Sequence, residues 1–283
     1  MSTITANTSK PTGAPNPTGQ QLEPVRTQPA VVNYLTHCLV LAKRSLIKTM
    51  RTPEALVDVT IQPVIFLGLF TYIFGGAIAG GSQSDYLQVL LPGILGQTIA
   101  MAGISLGSNL NSDIEKGVFD RFRALPIGRA VPLVGAVMAD VVRYLILVVV
   151  TVGVGMIMGF RFQGSVAGAI GGIALAIGFA LCFVWVSVFI GMKARTSGAV
   201  TGLSMLIVMP LSFGSNVFVP TGTMPGWLQS FVKVNPMSHL VSSLRELFSG
   251  QPWTTDVLWT FGWMALLLIV FVPLAVRAYR RRV

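Results

Sequence analysis

Six long apolar runs constrain this chain more than any other feature. Each has about 20 residues or more, the length that a helix needs to cross the hydrocarbon core of a bilayer. Charged residues make up 11% of the 283 residues, against about 25% in ordinary soluble domains. The sequence therefore predicts an all-α, multi-pass membrane protein with six transmembrane helices. The runs extend over approximately Val57–Ile78, Tyr86–Leu106, Ala130–Gly159, Val166–Met192, Gly198–Val219 and Val257–Val276.

Basic residues cluster on one side of these runs. With both termini on that side, 16 of the 20 Lys and Arg residues lie there, three lie on the opposite side and one lies within a span. The positive-inside rule makes the richer side cytoplasmic. The net charge of +10 is thus explained by membrane topology and does not indicate nucleic-acid binding. We expect a plasma-membrane protein with both termini in the cytoplasm.

The chain before the first run divides into two parts. Residues 1–30 are rich in Thr, Pro, Gln, Asn and Gly, a composition that predicts a disordered cytoplasmic tail. Residues 31–52 place apolar side chains at helical spacing and Arg44, Lys48 and Arg51 on another face. This pattern predicts an amphipathic helix in the membrane interface, with its basic side toward anionic lipid headgroups. The alternative is a soluble amphipathic helix. Residues 53–283 then form the six-span membrane domain.

A polar stretch, Asn111–Arg129, separates the second and third runs. A charged segment cannot lie in hydrocarbon, so it must face water at one side of the membrane. Its four basic residues place it in the cytoplasm. Two interpretations remain open: a docking element for a cytoplasmic partner, or a charged loop that only fixes the topology. The charged residues are Asp113, Glu115, Lys116, Asp120, Arg121, Arg123 and Arg129.

Two charged residues, Asp140 and Arg143, lie inside the third run. Their spacing of three residues puts them on one helix face, where they can form an ion pair. A lone charge at the bilayer centre costs about 2.5–3.5 kcal/mol on insertion scales, so such residues usually face a partner or a wet cavity. The pair is either structural or part of a transport path.

The segment Pro220–Trp253 lies on the outer side, although much of it is apolar. Trp227 belongs to a short amphipathic turn, and Asn235 is a candidate helix cap with Pro236 at the first helical position. The following helix carries Arg245 and ends at Gly250. Helices this short cannot span a bilayer. The sequence predicts a re-entrant or interfacial helical hairpin before the last span.

The residues that enzymes use are sparse. The two histidines, His37 and His239, fall on opposite sides of the membrane, and no Cys/His cluster has metal-ligand spacing. The chain has no glycine-rich phosphate-binding loop with Lys and Ser/Thr. We expect no catalytic residue and no metal site. The pairs Gly103/Gly107 and Gly198/Gly202 have the spacing that lets membrane helices approach closely, either within one protomer or between two.

The order of these parts resembles the permease subunit of type-2 ATP-binding cassette (ABC) exporters, most closely the daunorubicin-resistance permease group. The most specific match is Glu115-Lys116-Gly117, followed by Arg121 and then Leu125-Pro126. In that family this segment forms a cytoplasmic coupling helix that docks on the ATPase. The family's connecting helix is matched by Asn33–Arg51. Its hairpin before the last span is matched by Trp227, Asn235, Pro236 and Arg245.

The resemblance implies a half-transporter. Two copies of the chain pair with two copies of a separate ATPase, which binds ATP and Mg, so that this chain needs no cofactor of its own. The cargo is a lipophilic drug, antibiotic or glycolipid moved outward, and the resemblance identifies no substrate-binding residue. The docking set it implies is Asp113, Glu115, Lys116, Gly117, Arg121, Arg123 and Pro126.

The residues alone leave two alternatives to the exporter. One is an ion-gradient-driven secondary transporter with Asp140 as its candidate proton carrier. The other is a membrane scaffold that transports nothing and uses the polar stretch only for docking.

Overall fold

The structure is a computed structural model that describes residues 53–78, 83–118, 131–219, 221–252 and 254–282. Within these ranges it contains eight α-helices and no strand. Side chains of the first helix are described from Ile61 to Gly75. The helices are α1 Pro53–Ile78, α2 Gln83–Glu115, α3 Val131–Met158, α4 Val166–Lys193, α5 Ser197–Phe213, α6 Gly226–Val232, α7 Pro236–Ser249 and α8 Thr255–Arg282.

Several sequence predictions fall outside the described residues. These are the tail 1–30, the interfacial helix 31–52 with Arg44, Lys48 and Arg51, and the second half of the polar stretch with Arg121, Arg123 and Pro126.

Four of the described helices, α2, α3, α4 and α8, are long and apolar enough to cross a membrane. Two shorter apolar helices, Ile61–Gly75 within α1 and Ser197–Phe213, accompany them. The described part of the chain is therefore all-helical and multi-pass, as the sequence predicts. The count of six spans stays a prediction.

Helix α2 lies at the centre of the bundle and α8 at its edge. In the most apolar 18-residue stretch of α2, 83% of the residues are buried, against 17% in the corresponding stretch of α8. α2 packs against α1, α3, α4, α5 and α7, whereas α8 packs against α4 and α7. The core is built on fully buried α2 side chains such as Leu90, Leu91 and Ile94. A displacement of α2 would therefore change its contacts with five other helices.

The bundle has two ends, defined by where its helices terminate. The Glu115 end holds the C-termini of α2, α4 and α8 and the N-termini of α3 and α5. Side-chain hydrogen bonds join the helices there, from Asn111 and Arg282 to the last turn of α4. The hairpin end holds the N-termini of α2, α4 and α8 together with α6 and α7, where Arg245 bonds the carbonyl oxygen of Val89.

The predicted fifth span is wrong at its C-terminal end, because it extends beyond the helix. α5 stops at Phe213, six residues before the predicted end at Val219, and the residues that follow are not α-helical. An apolar segment without helical hydrogen bonds is tolerated at membrane depth only when it is packed on protein. Val217 is fully buried, and Arg245 donates to the carbonyl oxygens of Asn216 and Val217 at 2.8 and 3.2 Å.

The predicted boundary between the second span and the polar stretch also differs. α2 has no break near Leu106 and continues to Glu115. The residues from Asn111 to Glu115 are thus the last turn of a membrane helix. The buried side chain of Asn111 explains this, because it holds the polar turn against α4.

Candidate functional site

The exposed tip of α2 carries the described part of the predicted docking set. Glu115 and Lys116 are exposed, and Asp113 is half-buried. The Gly117 N–H donates to the carbonyl oxygen of Ile114 at 3.0 Å, and Gly117 has a φ of 67°. This left-handed conformation favours glycine and commonly ends a helix. Gly117 therefore ends α2 and leaves the two exposed charges at its tip.

Asn111 anchors this tip to α4. Its Nδ2 donates to the carbonyl oxygens of Gly191 and Ala194 at 2.8 and 2.9 Å. Arg282, from the end of α8, donates to the same Gly191 oxygen at 2.7 Å. Helix ends leave carbonyl groups without helical partners, and here two other helices supply them. Sequence reasoning missed this role because the partners of Asn111 lie about 80 residues away along the chain.

The backbones of α2 and α4 touch one helical turn before this anchor. A Cβ on Gly107 would lie 2.7 Å from the carbonyl carbon of Ser187, and one on Gly191 would lie 2.5 Å from the carbonyl oxygen of Gly107. Gly107 thus serves close packing within one protomer. Gly198 and Gly202 differ, because no atom of the described residues lies within 4 Å of a Cβ placed there.

A cavity of about 280 Å³ opens between α1, α2 and α5. It is lined by polar but uncharged side chains and by three methionines, Met101, Met205 and Met209. Such a mixture of adaptable apolar groups and a few hydrogen-bonding groups is typical of small-molecule sites. Sequence reasoning identified no substrate-binding residue, because the lining comes from three separated helices. The polar residues are Gln62, Thr98, Ser105, Ser108, Asn109 and Thr201.

Asp140 and Arg143 form a buried ion pair with 2.7 Å between Oδ2 and Nη2. Arg143 also donates to the Ser105 hydroxyl at 2.6 Å and to the carbonyl oxygen of Ala102 at 2.5 Å. Both of these α2 residues line the cavity, whereas the ion pair does not. The pair therefore lies behind the cavity wall and ties α3 to it.

The hairpin residues are held by hydrogen bonds. Asn235 caps α7 by accepting from the Met237 N–H at 2.9 Å, with Pro236 following at the start of the helix. The predicted cap is thus confirmed. Asn235 also donates to the carbonyl oxygens of Leu211 and Gly214 at 2.7 and 3.0 Å, which joins the hairpin to the end of α5.

Arg245 and Trp227 sit differently in the hairpin. Arg245 bonds α2 and the segment after α5, and burial lowers the pKa of its guanidinium to about 10, which leaves it charged at neutral pH. Trp227 is 74% exposed and points away from the packed core. The hydrogen bonds of Arg245 thus give it a structural role, whereas the exposed Trp227 side chain is available for an external contact.

Two hairpin residues escaped sequence reasoning. His239 faces two oxygen atoms, Asp256 Oδ1 at 2.6 Å and the Lys233 carbonyl oxygen at 3.0 Å. Glu246 accepts from the N–H and the hydroxyl of Thr254. Both contacts connect α7 to the start of α8.

Comparison with known proteins decides the family. The model of the ABC-2 type transporter family matches residues 36–249. The chain belongs to the ABC-2 type transporter family. This permease is 39% identical over 255 residues to the daunorubicin resistance ABC transporter permease protein DrrB1 of Streptomyces coeruleorubidus, covering 90% of each chain.

More distant relatives carry similar names. The permease is 23% identical to the probable doxorubicin resistance ABC transporter permease protein DrrC of Mycobacterium tuberculosis, over 93% of this chain and 97% of that protein. It is 26% identical to the doxorubicin resistance permease protein DrrB of the same organism, over 82% and 84%. Family membership implies an ATP-binding subunit as partner and assigns the membrane-spanning role to this chain.

Proposed function

We propose that this permease is the membrane half of an ATP-driven exporter. Two copies, each with six spans and with both termini in the cytoplasm, pair in the plasma membrane and bind two copies of a separate ATP-binding subunit. One observation carries the proposal: α2 is a single unbroken helix from Gln83 to Glu115. It bears the exposed charges at its tip and one wall of the cavity along its length.

This continuity provides the mechanical link that ATP-driven export requires. Thr98 on the cavity wall lies 17 residues before Glu115 on the same helix, a separation of about 25 Å at 1.5 Å per residue. A helix transmits displacement along its axis without an intervening hinge. When ATP closes the partner subunits, force on the tip moves the wall of the cavity, and Asn111 carries part of that force to α4.

The cavity is the proposed binding site for the cargo. Its described lining holds no charged side chain, which suits a lipophilic molecule with a few polar groups better than an ion. Relatives are named for resistance to daunorubicin and doxorubicin, and a drug of this kind is the cargo we propose.

Two other elements have supporting roles in the proposal. The hairpin acts as the outer gate, since Asn235 and Arg245 join it to the ends of α5 and α2. The Asp140–Arg143 pair positions the cavity wall through Ser105. The two opposite charges of the pair neutralise each other and do not line the cavity, so we propose a structural role for them.

The test combines stoichiometry with transport. Native mass spectrometry of the solubilised complex should give two permease chains with two ATP-binding subunits. Glu115→Ala and Lys116→Ala should insert into the membrane normally. We expect both to lower ATP-dependent uptake of daunorubicin into inside-out vesicles by an order of magnitude or more, because each removes an exposed charge at the proposed contact.

Lys233→Ala is the matched control, since Lys233 is an exposed charge at the opposite end of the bundle. It should leave uptake close to that of the wild type. Wild-type uptake by the two tip variants would refute the docking role of the α2 tip. A permease recovered repeatedly without any ATP-binding subunit would refute the exporter itself.

A further inference from the structure

A second cavity, separate from the one described above, lies at the Glu115 end between the last turns of α4 and α8. Its volume is about 260 Å³. Its described lining contains no acidic side chain and four cationic ones: Lys193, Arg195, Arg281 and Arg282. Four like charges around one concavity repel each other, so an anionic occupant would stabilise the site.

Of these four cations, Arg282 donates a hydrogen bond to a carbonyl oxygen at the end of α4. The Gly191 and Ala194 carbonyl oxygens of α4 already accept hydrogen bonds from Asn111 and Arg282. Among the described residues, Lys193, Arg195 and Arg281 take part in no ion pair or side-chain hydrogen bond. Three cations therefore face the cavity without a side-chain partner in the part of the chain that the structure describes.

The surroundings identify the occupant. α8 is the least buried of the candidate membrane helices, and Leu274, one helical turn before the cavity-lining Ala278, is apolar and 37% exposed. Acyl chains can lie along this face while the headgroup enters the cavity. A headgroup fits a volume of about 260 Å³ while its acyl chains remain outside.

We infer that this cavity binds the phosphate of an anionic phospholipid headgroup. Basic pockets between membrane helices are known to hold such headgroups, and the exposed apolar face of α8 favours a lipid over free phosphate. The bound lipid would neutralise the positive charge where the ends of α4 and α8 meet. Asn111 connects the α2 tip to the end of α4. The inference concerns binding only, so it stands or falls independently of the transport proposal.

The experiment compares two double variants with the same loss of charge. Arg195→Gln/Arg281→Gln removes two cavity cations, while Arg277→Gln/Arg280→Gln removes two exposed cations of α8 that do not line the cavity. Each complex is extracted from nanodiscs of phosphatidylcholine with phosphatidylglycerol. Native mass spectrometry then measures the phosphatidylglycerol that remains bound.

We expect the wild type and the control to retain phosphatidylglycerol but not phosphatidylcholine. The cavity variant should lose affinity by roughly 30-fold, from the contribution of two basic residues near an anionic lipid. Lys193→Gln, with one charge removed, should lie between. The substituted side chains are exposed, and an unchanged elution profile checks that each variant folds.

Three results would overturn the inference. Equal retention by the cavity variant and the control would mean a diffuse basic surface. Displacement of the lipid by millimolar inorganic phosphate would identify a site for free phosphate. Normal lipid binding together with loss of the ATP-binding subunit in the cavity variant would make this surface a protein contact.

Discussion

Gly107 offers a quantitative test of how tightly α2 and α4 are joined. In Gly107→Ala the new methyl group would lie 2.7 Å from the carbonyl carbon of Ser187, where ordinary contacts begin at 3.4 Å. The carbonyl oxygen of Ser187 would lie closer still. Because these obstacles are backbone atoms, no side-chain rotation relieves the clash, and the helices must separate or distort. Overpacking of this kind costs about 1–3 kcal/mol.

Gly202→Ala is the matched control, because its added methyl group has no neighbour within 4 Å in the described parts of the chain. Both substitutions gain about 0.5–1 kcal/mol from the higher helix propensity of alanine. The difference between the two variants therefore isolates the clash at the α2–α4 contact. A difference of about 2 kcal/mol corresponds to about 4–8 °C in Tm for a chain of this size range.

The assay is thermal unfolding of the purified permease in detergent, followed by tryptophan fluorescence. Gly107→Ala should unfold several degrees below Gly202→Ala, and Gly202→Ala should match or exceed the wild type. Equal Tm values for the two variants would show that α2 and α4 are not in backbone contact and would remove the close joint on which the force transmission depends.

Three further predictions concern the site. Asn111→Ala should cost about 1–3 kcal/mol of stability, because it leaves a buried carbonyl oxygen without a partner, and should lower export while the ATP-binding subunit stays bound. Met205→Trp should reduce daunorubicin uptake by filling the cavity, whereas Ile170→Trp, at an exposed position of α4, should not. Arg143→Met should cost about 3–5 kcal/mol by leaving Asp140 unpaired, and the double change of both to methionine should recover most of it.

Each of these predictions has a result that contradicts it. Wild-type export by Asn111→Ala would show that the α2 tip acts without its anchor to α4. Uptake that is equally reduced in both tryptophan variants would deny the cavity a specific role. A double methionine variant that is less stable than Arg143→Met alone would mean that Asp140 has another stabilising partner.

Local features of the fold could be predicted from the sequence. The apolar runs gave the helical, multi-pass class, since their length and composition are direct requirements of the bilayer. The cap at Asn235 and the helix end at Gly250 depend on neighbouring residues only, and both appear as predicted, with Gly250 at a φ of 74°.

The features that create the site could not be predicted, because they depend on contacts between distant segments. From the sequence alone, Asn111 is the first residue of a polar loop. In the structure it lies within α2, and its hydrogen bonds hold this turn against α4. The residues after Phe213 read as membrane helix because they are apolar. Arg245, on α7, instead donates hydrogen bonds to two of their carbonyl oxygens. These two carbonyl groups therefore need no helical partner.

The most direct test of the account is the energy source of transport. Daunorubicin uptake is measured in inside-out vesicles that contain the permease and its ATP-binding subunit, with ATP held constant and an uncoupler added. The account predicts uptake that requires ATP and the partner subunit and that persists when the proton gradient is collapsed. Uptake that disappears with the uncoupler while ATP remains would contradict it and would favour a gradient-driven transporter.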